Sequence, residues 1–141
     1  MDIHPYLFFS GNCREAMTRY HELLGGRLDV MTMGQLPDGE QPPPGASADS
    51  VMHAALVLDD GALIMASDDP TGDGSGIRGA AISLMFTDDE QARRVFDGLS
   101  EGGQVHMPLG ETFWAPLFGM CADRFGASWM VNVVPADEEA S

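Results

Sequence analysis

Apolar residues recur at helical spacing in two stretches of the chain, and each stretch stops at glycine. The first predicted helix begins at a capping-box-like Asn12 and Glu15 and ends at Gly25 and Gly26, and the second covers Asp89–Leu99. The stripes match at one constant spacing: Ala16, Tyr20, Leu23 and Gly26 correspond to Ala92, Phe96, Leu99 and Gly102. This internal repeat indicates two copies of one structural unit.

Short apolar stretches predict four strands in each half. They are Ile3–Phe9, Leu28–Met33, Val51–Leu58 and Ala62–Ser67, then Ala80–Phe86, Gln104–Met107, Leu117–Ala122 and Ser128–Val134. One strand of each half repeats as well: Gly61, Ala62 and Met65 correspond to Gly126, Ala127 and Met130. The predicted fold class is α+β, with two tandem βαβββ modules forming a half-open barrel around a shared cleft and the helices outside.

The length of 141 residues predicts one domain with a sizeable core. Its expected parts are a domain over 1–137, made of module one at about 1–68, a linker at 69–78 and module two at about 79–135, and an acidic tail at 136–141. Within module one, the loop from Gly34 to Asp49 carries Pro37 and Pro42–Pro44, which cannot pair as a ladder. We expect this loop to be a mobile segment.

The period of two sorts the strand residues into two faces. One parity is wholly apolar and is expected to pack under the helices: Ile3, Pro5, Leu7, Phe9, Ala62, Ile64, Ala66, Ala80, Ile82, Leu84, Phe86, Ala127, Trp129, Val131 and Val133. The other parity is predicted to line the cleft: His4, Tyr6, Phe8, Leu63, Met65, Ser67, Ala81, Ser83, Met85, Ser128, Met130 and Asn132. An apolar wall with a few polar groups is typical of a small-molecule pocket, although a filled core with satisfied polar groups has the same composition.

The charge balance is strongly acidic, with 22 Asp and Glu against 7 Arg, no Lys and a net charge of −15. Nucleic acid is excluded as an expected partner, because phosphate binding relies on clustered Lys and Arg. The missing lysine also excludes Schiff-base chemistry. Part of the acid lies in the tail, at Asp137, Glu138 and Glu139, which is typical of a solvated end.

Cys13 and Cys121 are the two cysteines, and their spacing fits neither a disulfide framework nor a zinc site. Cys13 lies in the first turn of a predicted helix, where it is either a nucleophile or a small packing residue. The chain shows no signal-peptide pattern and no run of about 20 apolar residues that would span a membrane. We therefore expect a cytoplasmic protein with no membrane partner.

Several motifs together resemble the PhnB-like family. They are the runs 5–9, 11–16, 52–54, 63–68, 107–114, 118–119, 123–126 and 129–132. This family belongs to the vicinal oxygen chelate superfamily, with glyoxalase I, extradiol dioxygenases, and bleomycin- and fosfomycin-resistance proteins. The resemblance implies paired βαβββ modules and a homodimer. One departure is Gly110, which stands where many relatives are expected to have glutamine.

In metal-using relatives, four strands each contribute a His, Glu or Gln to one divalent ion. The resemblance and the repeat together place His4, Met65, Ala81 and Met130 at those positions. Only His4 is a strong ligand, since thioether sulfur suits hard cations poorly and alanine offers no donor. A register shift by one residue would bring in Ile64, Ile82 and Trp129, which are no better. The expectation is therefore no metal and no cofactor.

Four further residues have two interpretations each. His53 is either a hydrogen-bonded core or pocket residue or a metal ligand, and His106 is either a metal ligand or a solvated strand end. Glu111 either acts as a general base over the cleft or makes a loop hydrogen bond to backbone amides. Trp114 either stacks on a flat ligand or seals the barrel end.

The first functional hypothesis is a metal-free protein that binds a small apolar or aromatic molecule. Its cleft residues are His4, Tyr6, Phe8, Met65, Ser67, Ser83, Met130, Asn132 and Trp114. The alternative is an enzyme of glyoxalase, lyase or dioxygenase type, which uses a divalent metal assembled differently or Glu111 and His4 as catalytic acid and base. A third hypothesis, an interaction module for a basic partner, rests on net charge alone.

Overall fold

The computed structural model describes residues 1–37, 39–41, 44 and 46–135, and the chain divides into two compact units at Ile77 and Arg78. Unit one contains β1 Tyr6–Phe9, α1 Cys13–Leu24, β2 Arg27–Thr32, a short 3-10 turn Met33–Gln35, β3 Val51–Val57 and β4 Leu63–Asp68. Unit two contains β5 Ile82–Phe86, α2 Asp89–Ser100, β6 Gln104–Gly110, β7 Leu117–Ala122 and β8 Ser128–Val133. Two predicted segments, the acidic tail 136–141 and Pro42–Pro43 of the loop, lie outside the described residues.

Both units have the same topology. The strand order is β1-β4-β3-β2 in unit one and β5-β8-β7-β6 in unit two, and in each sheet the first pair is parallel and the others are antiparallel. Each unit carries one helix against one mixed four-stranded sheet, and neither sheet is closed. The predicted α+β fold class with two tandem βαβββ modules is therefore confirmed.

The register of the parallel pair is also repeated. In unit one Tyr6 pairs with Met65 and Phe8 with Ser67, and in unit two Ser83 pairs with Met130 and Met85 with Asn132. The antiparallel neighbour continues the match, because Ala55 lies beside Met65 and Met120 beside Met130. Equivalent positions of the two units can therefore be compared residue by residue.

The predicted alternation of faces is confirmed in the centre of the strands. Leu7, Phe9, Ile64 and Ala66 are buried in unit one, as are Ala127, Trp129, Val131 and Val133 in unit two. The helices cover these residues with their own buried stripes, namely Cys13, Ala16, Met17, Tyr20 and Leu23, and Ala92, Val95, Phe96 and Leu99. The β5 residues Ile82, Leu84 and Phe86 are only half-buried. Each core thus forms between one helix and one sheet face.

The strand ends differ from the prediction. β1 begins at Tyr6 rather than Ile3, and Ile3 is 83% exposed. Pro5 has no N–H to donate, and its carbonyl accepts the last bond of the pair, from the Met65 amide. β6 extends to Gly110, past the predicted Met107, through two register shifts that let an edge strand bend. The ends depend on partner strands, which local patterning does not encode.

Helix α1 ends as predicted. The Gly25 amide donates to the His21 carbonyl at 2.9 Å, and both Gly25 and Gly26 have φ of 80°. Gly26 also approaches the Val57 backbone so closely that a Cβ at that position would clash with the Val57 carbonyl oxygen. Glycine is therefore required there by both conformation and space.

The start of α1 is capped by Asp68 rather than by the predicted Asn12. Among the described residues, Asn12 makes no side-chain cap hydrogen bond. Instead, Oδ1 of Asp68 accepts the amides of Gly11 and Cys13, each at 3.0 Å, and Oδ2 accepts the amide of Val51 at 2.9 Å. One buried carboxylate thus joins the end of β4 to the starts of α1 and β3.

In unit two, Asp88 caps α2 locally by accepting the Glu90 amide at 3.0 Å. A second buried carboxylate, Asp123, accepts the amides of Phe125 and Ala127 and the indole N–H of Trp129 at 2.9, 3.0 and 2.8 Å. It shapes the turn between β7 and β8. No helix within the described ranges is long and apolar enough to cross a membrane.

Replacing Asp68 with Asn should lower the free energy of unfolding by about 3 kcal/mol, because charge-assisted hydrogen bonds to three amides are weakened and an amide N–H then faces backbone donors. Denaturant unfolding measures this. Asp59→Asn, in the exposed hairpin turn, is the control and should leave the midpoint unchanged. Equal midpoints for the two variants would show that Asp68 does not hold the fold.

Candidate functional site

The side of the first sheet that faces away from the buried core carries Tyr6, Phe8, His53, Met65 and Ser67, and we call it the first open face. Strand pairing places Tyr6 beside Met65 and Phe8 beside Ser67. His53 lies on the same side because its neighbour Ala54 pairs with the buried Ala66. Phe8 is 60% exposed, although Leu7 and Phe9 on either side of it are buried. Four predicted site residues are thus brought together by register.

Tyr6 is the centre of an aromatic cluster on this face. Its ring centroid lies 5.1 Å from that of Phe8 and 5.7 Å from that of His53. The Tyr6 hydroxyl is 3.1 Å from Nδ1 of His53, a hydrogen bond whose donor depends on the histidine tautomer. In either tautomer of neutral His53, the pair keeps one further donor and one further acceptor. This bond supports the interpretation of His53 as a hydrogen-bonded residue.

The other predicted residues of the first open face are less accessible. Met65 is half-buried, Ser67 is buried, and His4 is half-buried two residues before β1 begins. Met31, which pairs with His53 from β2, adds an exposed thioether at the edge of the face. The face is therefore mainly aromatic and sulfur-containing, with hydroxyl and imidazole groups between.

The corresponding side of the second sheet is the second open face. Strand pairing aligns Ser83 with Met130, and Met85 with Asn132. Phe118 of β7 lies on the other side of Asn132, and Met120 beside Met130. Met85 is 65% exposed, whereas Oδ1 of Asn132 is buried and has no hydrogen-bond partner within the described part of the chain.

The loop between β6 and β7 adds Trp114 to this face. Its ring makes an edge contact with Phe118 at 5.5 Å and with Phe113 at 4.7 Å. Thr112 holds the loop, since its amide donates to the Ala115 carbonyl at 3.1 Å and its hydroxyl oxygen accepts the Ala115 amide at 3.0 Å. Trp114 is 54% exposed, so half of its surface is available to a ligand.

The two candidate catalytic residues lie in different units, His4 in unit one and Glu111 in unit two. Glu111 is exposed after the end of β6, and the loop hydrogen bonds are made by Thr112. A general base is expected in an enclosed site, close to the group that it deprotonates. Exposed Glu111 lacks that enclosure. His106, on the exposed edge strand β6, is exposed, which supports its interpretation as a solvated residue.

The positions of metal ligands in relatives carry a donor set that does not fit a hard divalent cation. In unit one they are His4 and Met65, and in unit two Ala81 and Met130, so imidazole is the one strong ligand. In the described ranges, no three His, Cys, Asp or Glu side chains lie close enough together to hold a metal ion. No step of a metal-dependent reaction follows from these residues.

A surface concavity of about 380 Å³ lies elsewhere, at the start of α2. It is lined by Asp88, Glu90, Gln91 and Arg94, all of them exposed. Polar, solvated walls of this kind offer a small organic ligand little apolar contact. The open faces are the better candidate sites.

The sequence reasoning left His53 open between a core or pocket residue and a ligand, and it missed Phe118 and Met31 as parts of the open faces. It assigned faces only to the first and last strands of each half, whereas these residues lie in β3, β7 and β2. Alternation along β3 was the available signal, since Ala54 and Leu56 are buried and His53 and Ala55 are not. The Tyr6–His53 bond has no signal in local sequence, because 47 residues separate the partners.

Comparison with known proteins decides the family. The profile of the Glyoxalase/Bleomycin resistance protein/Dioxygenase superfamily matches residues 2–131. The chain belongs to this superfamily. Protein YjdN of Escherichia coli (strain K12) is 36% identical over 141 residues, which cover 95% of this chain and 96% of YjdN.

Solved structures resemble the chain over nearly its whole length. Protein PA1353 from Pseudomonas aeruginosa has a TM-score of 0.82 and 49% identity, with 96% of this chain and 98% of that one covered. The PhnB protein from Bacillus cereus has a TM-score of 0.75 and 24% identity, covering 95% and 100%. The profile match confirms the superfamily that the sequence motifs indicated, and the structural similarities confirm its fold.

The cysteines are packing residues rather than nucleophiles. Cys13 is fully buried, and burial, followed by the negative charge of Asp68, raises its thiol pKa to about 12, with a smaller opposing effect from Arg14. Burial also raises the pKa of the Cys121 thiol, and the nearby Ser100 side chain lowers it by less. Thiolate is the reactive form, so both groups are inert in the folded chain.

We expect a disulfide reagent such as dithionitrobenzoate to label neither thiol at pH 8 in the native protein and both after denaturation. The stabilising contribution of neutral Cys13 is complete below pH 9, the unfolded value, and is lost as the pH rises toward 12. Cys13→Ala should therefore show a smaller loss of stability over that range. Rapid labelling of the native protein, with Cys121→Ala used to isolate Cys13, would contradict this assignment.

Proposed function

We propose that this superfamily member binds small, flat, apolar or aromatic molecules on its open faces without a metal ion. The observation that carries the proposal is the exposed aromatic cluster of Tyr6 and Phe8, on strand residues whose alternate neighbours are buried. Single exposed apolar side chains are ordinary on protein surfaces, but adjoining ones on one sheet face mark an interaction site.

The chemistry of both faces supports this ligand class. Aromatic rings offer stacking surfaces, and the unbranched side chains of Met65, Met85 and Met130 adapt to irregular shapes. Polar groups between them, at Ser67, Ser83 and Asn132, would orient a bound molecule. His4 would contribute imidazole at the edge of the first open face.

Metal independence is part of the proposal because the donor set supports it. A catalytic metal generally keeps about three protein ligands and an open position, whereas the family positions here supply one strong donor. The homodimer that the family resemblance implies is also part of the proposal. The two free thiols support a cytoplasmic location, where cysteines stay reduced.

Phe8→Ala should weaken the binding of N-phenyl-1-naphthylamine about tenfold, because an exposed stacking surface beside Tyr6 is removed. The probe is a neutral aromatic molecule that fluoresces in apolar surroundings. Ile3→Ala is the matched control, since it also removes an exposed apolar side chain near β1 but from the opposite parity. A wild-type protein that does not bind the probe, or equal losses in the two variants, would contradict the proposal.

Calorimetric titration of chelator-treated protein with nickel, cobalt, manganese, zinc and ferrous ions should show no stoichiometric binding. His4→Ala should give the same traces, because a single imidazole does not hold a catalytic ion. Tight binding of one ion per chain, lost in His4→Ala, would replace the metal-free proposal with a metalloenzyme.

A further inference from the structure

On the second open face, the side chain of Asn132 has a buried oxygen without a hydrogen-bond partner among the described residues. Its amide oxygen is shielded from solvent and accepts no hydrogen bond from any residue that the structure describes, although the side chain as a whole is only half-buried. Buried polar atoms are nearly always hydrogen-bonded, because an unmade bond costs the full desolvation of the group. An acceptor left in this state on a candidate binding face points to a donor that the free protein lacks.

We propose that Asn132 is the polar recognition point of the second open face and that the ligand is a flat aromatic molecule carrying an O–H or N–H donor. The inference rests on the proposed function and adds to it the polar group that the ligand must carry. The donor replaces the missing partner of Oδ1, and the aromatic ring lies against the side chains around it.

The neighbours of Asn132 fit this ligand. Met85 pairs with it from β5, and Phe118 pairs with it from β7. Trp114 contacts the ring of Phe118 and is half-exposed. A methionine that is 65% exposed can change rotamer at little cost, so Met85 gives a ligand a route to the amide. The polar atom therefore lies between a flexible thioether and an aromatic pair.

The repeat shows that the fold does not require an amide at this position. Ser67 of unit one is the equivalent residue, because it pairs with Phe8 as Asn132 pairs with Met85. The two units share topology and register, so a structural need would act on both. Asn132 is thus a property of the second open face and not of the βαβββ module.

The test compares 2-naphthol with 2-methoxynaphthalene. The second compound has the same naphthalene ring and the same oxygen position, but a methyl group replaces the hydroxyl hydrogen, so it has no hydrogen-bond donor. Isothermal titration calorimetry on the wild-type protein should show at least about tenfold tighter binding of 2-naphthol, since the methyl ether leaves Oδ1 unpaired. Asn132→Leu should abolish this preference and retain the binding of 2-methoxynaphthalene. Gln91→Leu, the same amide-to-leucine change at an exposed position of α2 outside the open faces, is the control and should keep the preference.

The stability of the variants is a second readout. Asn132→Leu should raise the melting temperature of the ligand-free protein, because an unsatisfied polar atom is replaced by an apolar group of similar size. Asn132→Ser, the side chain that unit one has at the equivalent position, should fold normally and also reduce the preference for 2-naphthol. A lower melting temperature for Asn132→Leu would mean that the oxygen has a partner, such as bound water, and would overturn the inference.

The outcomes separate the two proposals. If both probes bind equally to the wild-type protein, the binding function stands and the role of Asn132 is wrong. If Asn132→Leu still prefers 2-naphthol, another residue recognises the donor, and the role of Asn132 is likewise wrong. If neither probe binds, the proposed function fails for flat aromatic molecules, and the inference fails with it.

Discussion

The hydrogen bonds of the Asp68 carboxylate are the constraint on which unit one depends. Three backbone amides, from Gly11, Cys13 and Val51, converge on its two oxygens at the end of β4. They fix where α1 begins and where β3 starts, and the parallel pairing of β4 with β1 then sets which residues reach the first open face. Because hydrogen bonds to a buried carboxylate are strong and directional, this arrangement determines the register as well as the stability.

Comparison of the units separates what the fold needs from what the faces add. The side of each sheet that packs on a helix is apolar in both copies, whereas equivalent positions on the open faces differ: Tyr6 and Ser83, Phe8 and Met85, Ser67 and Asn132. Packing constrains the first set through volume and burial. Helix packing does not constrain the open faces in this way, so the proposed ligand specificity rests on their side chains.

Local patterning was sufficient to predict both helices, the presence of all eight strands and the buried parity in the strand centres, because each depends on residues close in sequence. Local patterning failed where a contact joins residues that are distant in sequence. Asp68 caps α1 from 55 residues away, and the Tyr6–His53 hydrogen bond crosses the sheet. The assignment of the metal-ligand positions came from the family resemblance combined with the repeat. The partnerless oxygen of Asn132 could not be predicted, since hydrogen-bond satisfaction depends on three-dimensional neighbours.

The acidic charge explains how such faces can stay exposed. Adjoining aromatic side chains on a sheet favour association between copies of a chain, which would cover the faces. A net charge of −15, with no lysine to balance it, opposes non-specific association by repulsion between molecules. A neutral flat molecule experiences no such repulsion and still gains contact with the rings and thioethers. Net charge and exposed apolar surface therefore act together: the charge opposes non-specific association between copies of the chain, and the apolar surface remains available to small neutral molecules.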